Sequence, residues 1–211
     1  MKVLAINGSP NKDGNTWHAL NMVGEELKNN GIDFEILHIG NKHIHGCLGC
    51  KKCAEHKDEK CSIKKDDLNK WLQMAKAADG LLIGSPVYYS GIAGTLKSFL
   101  DRLFYVSGSN GNLFRHKVGA AVIAVRRTGG SSTLDALNHY FTVTEMLIPG
   151  SSYWNIIHGR TSGEVEQDSE GKQALRVLAK NMAWLLKMKE ATKDIITPPL
   201  QEKKEMMSFI R

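Results

Sequence analysis

Short apolar runs alternate along the chain with longer stretches in which apolar positions recur every three or four residues. Lys2-Val3-Leu4-Ala5-Ile6 reads as a buried strand, followed by a polar loop and a helix from about Thr16 to Lys28. Trp17, Leu20, Val23 and Leu27 form the apolar face of that helix, and Gly31 closes it. Asp33 to Ile39 alternates with period two, as an edge strand does. Asp66-Asp67-Leu68 reads as a helix cap, its two carboxylates at the start of a helix that runs to about Lys76. Gly80 to Gly84 and Val118 to Val125 read as central strands, and Ser152 to Ile157 as a fifth. Helices are expected from about Ala93 to Phe104, Ser132 to Leu147 and Glu170 to Lys189. Successive βα units of this kind predict an α/β fold: a doubly wound, five-stranded parallel sheet with helices on both faces.

Ligands of such sheets sit at the carboxyl ends of the strands. That rule singles out three loops rich in glycine and polar residues: Ser9 to Thr16, Ser85 to Gly91, and Arg126 to Ser132. The first runs from a strand into a helix N-terminus, where free N–H groups and the helix dipole favour an anion. Ser9, Asn11, Asn15 and Thr16 add side-chain donors, Lys12 a positive charge, and Gly8 and Gly14 permit tight turns. The same residues also suit a plain strand–helix turn with an Asn/Thr cap that binds nothing.

The length of 211 residues suits one domain with an appendage: a folded unit over 1–189 and a tail over 190–211. The tail holds Pro198-Pro199 and ends on the apolar run Met206-Met207-Ser208-Phe209-Ile210, which reads as a frayed terminus or an arm that packs on another subunit. No apolar run reaches membrane-spanning length and no signal-peptide pattern opens the chain, so a cytoplasmic protein is expected. The net charge of +6 is scattered rather than blocked, and no nucleic-acid-binding motif accompanies it. A solvated basic surface that favours anionic ligands is the reading, with neither nucleic acid nor membrane as partner. All four cysteines fall between Cys47 and Cys61, an insertion that reads as a metal or cluster site in a reducing compartment.

The loop Gly8-Ser9-Pro10-Asn11-Lys12-Asp13-Gly14-Asn15-Thr16, with Gly84-Ser85-Pro86-Val87-Tyr88-Tyr89 and Leu96-Lys97-Ser98-Phe99-Leu100-Asp101-Arg102, resembles the NAD(P)H-dependent FMN reductases over about residues 1 to 160. The resemblance implies a flavodoxin-like fold with strand order 2-1-3-4-5 and FMN phosphate at the first loop. It implies an isoalloxazine ring between Pro86-Val87-Tyr88-Tyr89 and Arg127-Thr128-Gly129. Arg126 and Arg127 depart from the small polar residues expected there and would bring positive charge to the reduced flavin. Cys47-x2-Cys50-x2-Cys53-x7-Cys61 is similar to the motif of the iron–sulfur flavoproteins, a branch of the same superfamily. That resemblance implies one 4Fe–4S cluster and one FMN per subunit in a homodimer or homotetramer.

Three closely stepped cysteines plus one suit a cubane cluster; zinc, free thiols or a regulatory disulfide are the alternatives. The stepped cysteines are expected on one side of a turn or short helix, and the gap before Cys61 is expected to be exposed and flexible. No catalytic side chain is named, because flavin redox chemistry belongs to the cofactor. The function expected is electron transfer through FMN and the cluster, between a redox partner protein or small molecule and an acceptor. The alternatives are an NAD(P)H-dependent FMN or quinone reductase without a cluster, and a non-catalytic flavin-binding module whose cysteines sense oxidation.

Overall fold

A computed structural model describes residues 1–207 and 209; of the expected apolar end, Ser208 and Ile210 lie outside the described residues. The elements follow the order β1 (Lys2–Asn7), α1 (Asn15–Asn29), β2 (Asp33–His38), α2 (Lys52–His56), α3 (Leu68–Ala77), β3 (Gly80–Tyr88), β4 (Gly91–Ile92), α4 (Gly94–Ser109), β5 (Val118–Val125), α5 (Gly130–Val143), β6 (Ile156–His158) and α6 (Ser169–Thr192). A short 3-10 turn, Glu164–Gln167, precedes α6.

The sheet order is β2-β1-β3-β5-β6, all parallel. Counting the parallel strands alone, this is the expected flavodoxin-like order 2-1-3-4-5. The short β4 was not expected; it folds back antiparallel on the end of β3.

Each central strand alternates its side chains between two cores. Leu4, Ile6, Leu81, Ile83, Ala121 and Ile123 face a core shared with α3, α4 and α5. Val3, Ala5, Leu82, Ala120 and Val122 face a second, shared with α1 and α6. A strand buried on both faces reads as a continuous apolar run, which is why these strands were legible. No helix is long and apolar enough to cross a membrane among the described residues.

Several boundaries differ from the sequence reading, each for a tertiary reason. The stretch Ser85 to Tyr88, expected as loop, continues β3 because β4 pairs with it. The helix α5 stops at Val143 rather than Leu147. Glu145 takes a left-handed φ of 55°, and Leu147 exchanges backbone hydrogen bonds with Lys117 and Gly119, both at 2.9 Å, at the start of β5. The fifth parallel strand is Ile156–His158, shorter and later than expected. The helix α4 runs on to Ser109, five residues past the expected end at Phe104.

Candidate functional site

The first loop begins where β1 ends. Asn7 is fully buried there, and its side chain shapes the turn: Oδ1 accepts from the Ser9 N–H at 3.0 Å and Nδ2 donates to the Lys12 carbonyl at 3.0 Å. The Ser9 hydroxyl accepts from the Asn11 N–H at 3.2 Å, and His38 Nε2 bonds to the Ser9 carbonyl at 2.8 Å. Two glycines permit the close packing. A Cβ on Gly8 would fall 2.5 Å from Leu96 Cδ2 of α4, and one on Gly40 would fall 2.0 Å from the Ser9 carbonyl oxygen. Gly14 has an extended backbone (φ −84°, ψ −176°).

Ser9 and Thr16 are buried, Asn15 half-buried, and Asn11 and Lys12 exposed. No side chain caps α1. Its first N–H groups, those of Asn15 and Thr16, therefore face outward without an intrahelical acceptor. The Asn15 Oδ1 atom is buried and has no hydrogen-bond partner among the described residues. The Asn/Thr cap left open by the sequence is thus not formed.

The second and third loops meet. Tyr89 and Ser90 occupy the two-residue turn between β3 and β4 with φ of 49° and 57°. These are the two positive φ values of a type I′ hairpin, which neither residue type favours. Tyr88 and Tyr89 are exposed, while Pro86 and Val87 are half-buried. The Ser132 hydroxyl donates to the Ser90 carbonyl at 2.9 Å, and a Cβ on Gly129 would lie 2.8 Å from Ser90 Cα. Gly129 has a left-handed φ of 86° and leaves α5 without a side-chain cap. Arg127 and Thr128 are exposed beside it. The first loop is tied in by the Gly8 N–H, which donates to the Gly84 carbonyl at 2.9 Å.

The structure adds residues that the sequence did not point to. The segment after β6 closes over the first loop: the Ser162 hydroxyl donates to the Asp13 carbonyl at 2.6 Å, and His18 of α1 pairs with Glu166 at 3.3 Å. A cavity of about 360 Å³ lies beside the third loop, bordered by Arg127, Gly130, Tyr153, Trp154, Ile156 and Asp168. Asn7 could have been suspected as a polar residue closing an apolar strand. The segment after β6 gave no such signal, since its partners are about 150 residues away.

The cysteine segment is shaped by α3 and α4. Of the expected turn or short helix, the helix holds only Cys53, on α2; Cys47 and Cys50 lie on irregular chain. Left-handed φ values at Lys51 (59°), Lys57 (50°) and Glu59 (58°) turn the backbone repeatedly. The gap before Cys61 was expected to be flexible; it is exposed but pinned. Asn110 accepts from the Glu59 N–H at 3.0 Å, Asn69 exchanges hydrogen bonds with the Cys61 backbone at 2.7 and 3.0 Å, and Lys76 grips the Glu59 carboxylate.

Cys53 is buried, Cys61 half-buried, and Cys47 and Cys50 exposed, yet all four border one small cavity with Arg102 and Tyr105. Among the described residues, no three His, Cys, Asp or Glu side chains stand where they could hold a single metal ion. Burial pushes the Cys53 thiol up. The Ser62 hydroxyl and the Lys52 N–H hold the Cys50 thiol below its usual value.

The Asp66 carboxylate, expected as a helix cap, has a second role. Its Oδ1 accepts from the Leu68 N–H at 3.3 Å, but both oxygens also pair with Arg102, whose side chain is 0% exposed. Burial pushes the Arg102 guanidinium down, but Asp66 and Cys61 more than offset this and hold it above its usual value. Asp67, at the N-cap position, makes no side-chain cap.

The chain as a whole is similar to known proteins. The family model described as NADPH-dependent FMN reductase matches residues 1–161. An iron–sulfur flavoprotein of Methanocaldococcus jannaschii is 34% identical over 199 residues, spanning 89% of this chain and 98% of its own. One of Archaeoglobus fulgidus is 31% identical over 206 residues, spanning 92% and 98%. Among solved structures, RosB with a bound 8-demethyl-8-formylriboflavin-5'-phosphate superposes with a TM-score of 0.73 at 13% identity, over 100% of this chain and 94% of that one. An archaeal flavodoxin superposes with a TM-score of 0.58 at 16% identity, over 89% and 99%. The two structures share the fold, and the sequence relatives match over nearly their full length; the chain belongs to the NADPH-dependent FMN reductase family, in its iron–sulfur flavoprotein branch.

Proposed function

We propose that this flavin-dependent oxidoreductase passes electrons through FMN and a 4Fe–4S cluster held by Cys47, Cys50, Cys53 and Cys61, between a donor and an acceptor. The observation that carries the cluster is that all four cysteines border one cavity beside a buried cation. A cubane takes one thiolate at each of four irons, so its ligands surround a shared body rather than one ion. Its thiolate ligation also makes the cluster anionic, which suits the Arg102 guanidinium. The left-handed turns at Lys51, Lys57 and Glu59 cost of order 1–3 kcal/mol each, strain of the kind that gathers at ligand sites.

The first loop fits a flavin mononucleotide. The uncapped start of α1 offers N–H groups to a phosphate, with Ser9, Asn11, Lys12, Asn15 and Thr16 around it. The orphaned Asn15 oxygen is a buried acceptor for a hydroxyl such as those of the ribityl chain. Pro86, Val87, Tyr88 and Tyr89 on one side and Arg127, Thr128 and Gly129 on the other would flank the ring, whose bound chemistry is hydride and single-electron transfer. These residues position the flavin and shape access to it; no side chain is assigned proton chemistry.

The test is iron and sulfide analysis of anaerobically prepared protein. About four irons and four sulfides per chain beside one flavin support the reading. Flavin without iron or sulfide after reconstitution overturns the cluster. A second reading, an NAD(P)H-dependent FMN or quinone reductase without a cluster, is favoured by the cavity beside the third loop, whose 360 Å³ has room for a second small molecule. Rapid flavin bleaching by NADPH in iron-free protein would select it. We also propose a cytoplasmic homodimer or homotetramer that exchanges electrons with a redox partner; sedimentation as a strict monomer would contradict the assembly.

A further inference from the structure

We infer that Arg102 is the positioning residue of the cysteine segment: its one guanidinium fastens both ends of that segment to α4 and aims an N–H at the Cys61 sulfur, which eases reduction of a cluster held there. This rests on the cluster reading above.

The guanidinium spends its hydrogen bonds in an unusual way. Nη1 and Nη2 pair with the two oxygens of Asp66, as a bidentate ion pair requires. The remaining donors go to the cysteine segment and its flanks. Nε donates to Cys61 Sγ at 3.4 Å, Nη1 to the His45 carbonyl at 3.2 Å, and Nη2 to the Ile63 carbonyl at 3.4 Å. The partners thus lie at position 45, before the four thiols, at 61, the last of them, and at 63 and 66, beyond it. One rigid planar fork sets their relative places, which a lysine with a single nitrogen cannot do.

The anchor itself is immobilised. Phe99 and Leu103, on either side of Arg102 along α4, are fully buried in the core. Just past the end of α4, its C-cap Asn110 donates to the Cys53 carbonyl at 3.3 Å and accepts from the Glu59 N–H at 3.0 Å. Together α4 and its C-cap therefore hold the backbone beside Cys53 and, through Arg102, the sulfur of Cys61. A buried ion pair is often no more stabilising than apolar residues of the same size. Its additional contact with a cysteine sulfur is what a purely structural pair would lack. Hydrogen bonds to ligand sulfurs and nearby positive charge stabilise the more negative, reduced form of a cluster.

The experiment compares wild type, Arg102→Lys and the double variant Asp66→Asn/Arg102→Met, which leaves no buried charge unpaired. Hydrogen exchange across 45–66 and cluster midpoint potential are read on each, with flavin retention as the check on folding. The expected result for the double variant is faster exchange confined to that segment and a more negative potential, with flavin retained. Arg102→Lys keeps the charge but not the fork, so its exchange rises while its potential falls less. Unchanged exchange and potential in the double variant, with wild type fully loaded, overturn the inference alone. Raised exchange at unchanged potential leaves Arg102 a structural residue and overturns its electronic role. Wild type that takes up no iron or sulfide overturns the cluster reading and, with it, the role in reduction.

Discussion

Tyr89 carries a left-handed backbone at the tip of an exposed hairpin, and its side chain is fully exposed. A left-handed residue other than glycine costs roughly 1–2 kcal/mol, part of which glycine returns as unfolded-state entropy. Tyr89→Gly is therefore expected to raise stability by about 0.5–1 kcal/mol in chemical denaturation. If the tyrosine walls the flavin, the same variant will bind FMN more weakly in a fluorescence titration. Asp66 is the opposite case. Removing it by Asp66→Ala strands the Arg102 charge in the core, and breaking a buried pair in this way costs about 3–5 kcal/mol. A capping residue alone would cost about 1 kcal/mol, so urea denaturation separates the two roles. Arg127 stands exposed beside Gly129. Its replacement by alanine is expected to lower the flavin reduction potential in a dye-linked titration, because a positive charge near the ring stabilises the anionic reduced form.

Between elements, the first loop depends on how closely β2 and α4 approach it. A methyl group on Gly40 would meet the Ser9 carbonyl, which is backbone and cannot rotate aside. Gly40→Ala is expected to destabilise by about 1–3 kcal/mol, as overpacking does, and to weaken FMN binding more than tenfold by equilibrium titration. The start of α6 has its own device. Burial pushes the Asp168 carboxyl up, but the N–H groups of Gly171 and His158 and the His158 ring more than offset this, leaving it below its usual value. A folded-state pKa below the unfolded one adds stability above the unfolded value, and that stability is lost as pH falls through the folded one. Asp168→Ala should accordingly cost about 1 kcal/mol at pH 7, and the gap from wild type should narrow in denaturation as pH falls below the usual carboxylate range.

At the scale of the whole molecule, three strand ends, two helix starts and the cysteine segment are gathered on a frame whose core lies on both faces of one sheet. The frame was legible because each central strand is a run of apolar residues bounded by turns, and each long helix repeats its apolar positions. Val118–Val125 matched its expected bounds for this reason. The hairpin at Tyr89, the early end of α5 and the late start of β6 were not legible, since backbone pairing between distant segments decides them. The tail carries Ile195, Ile196, Leu200, Met206, Met207 and Phe209, all more than half exposed. If this apolar stretch is the arm of an assembly, truncation after Thr192 will lower the mass in sedimentation while FMN binding survives.

What the sequence determined by itself was local or periodic: the parallel sheet, the three loops at its carboxyl edge and the clustering of the thiols within fifteen positions of one another. What only the tertiary structure decided was which donors remain free and which charges are shared. Asn15 Oδ1 is left without a partner among the described residues, Asp66 serves Arg102 rather than only a helix start, and Arg102 reaches back 41 positions to a cysteine sulfur. Periodicity reports which face of an element meets the core. It carries no record of which polar group on another element will meet it there, because that is fixed by crossing angles and burial after the elements have packed.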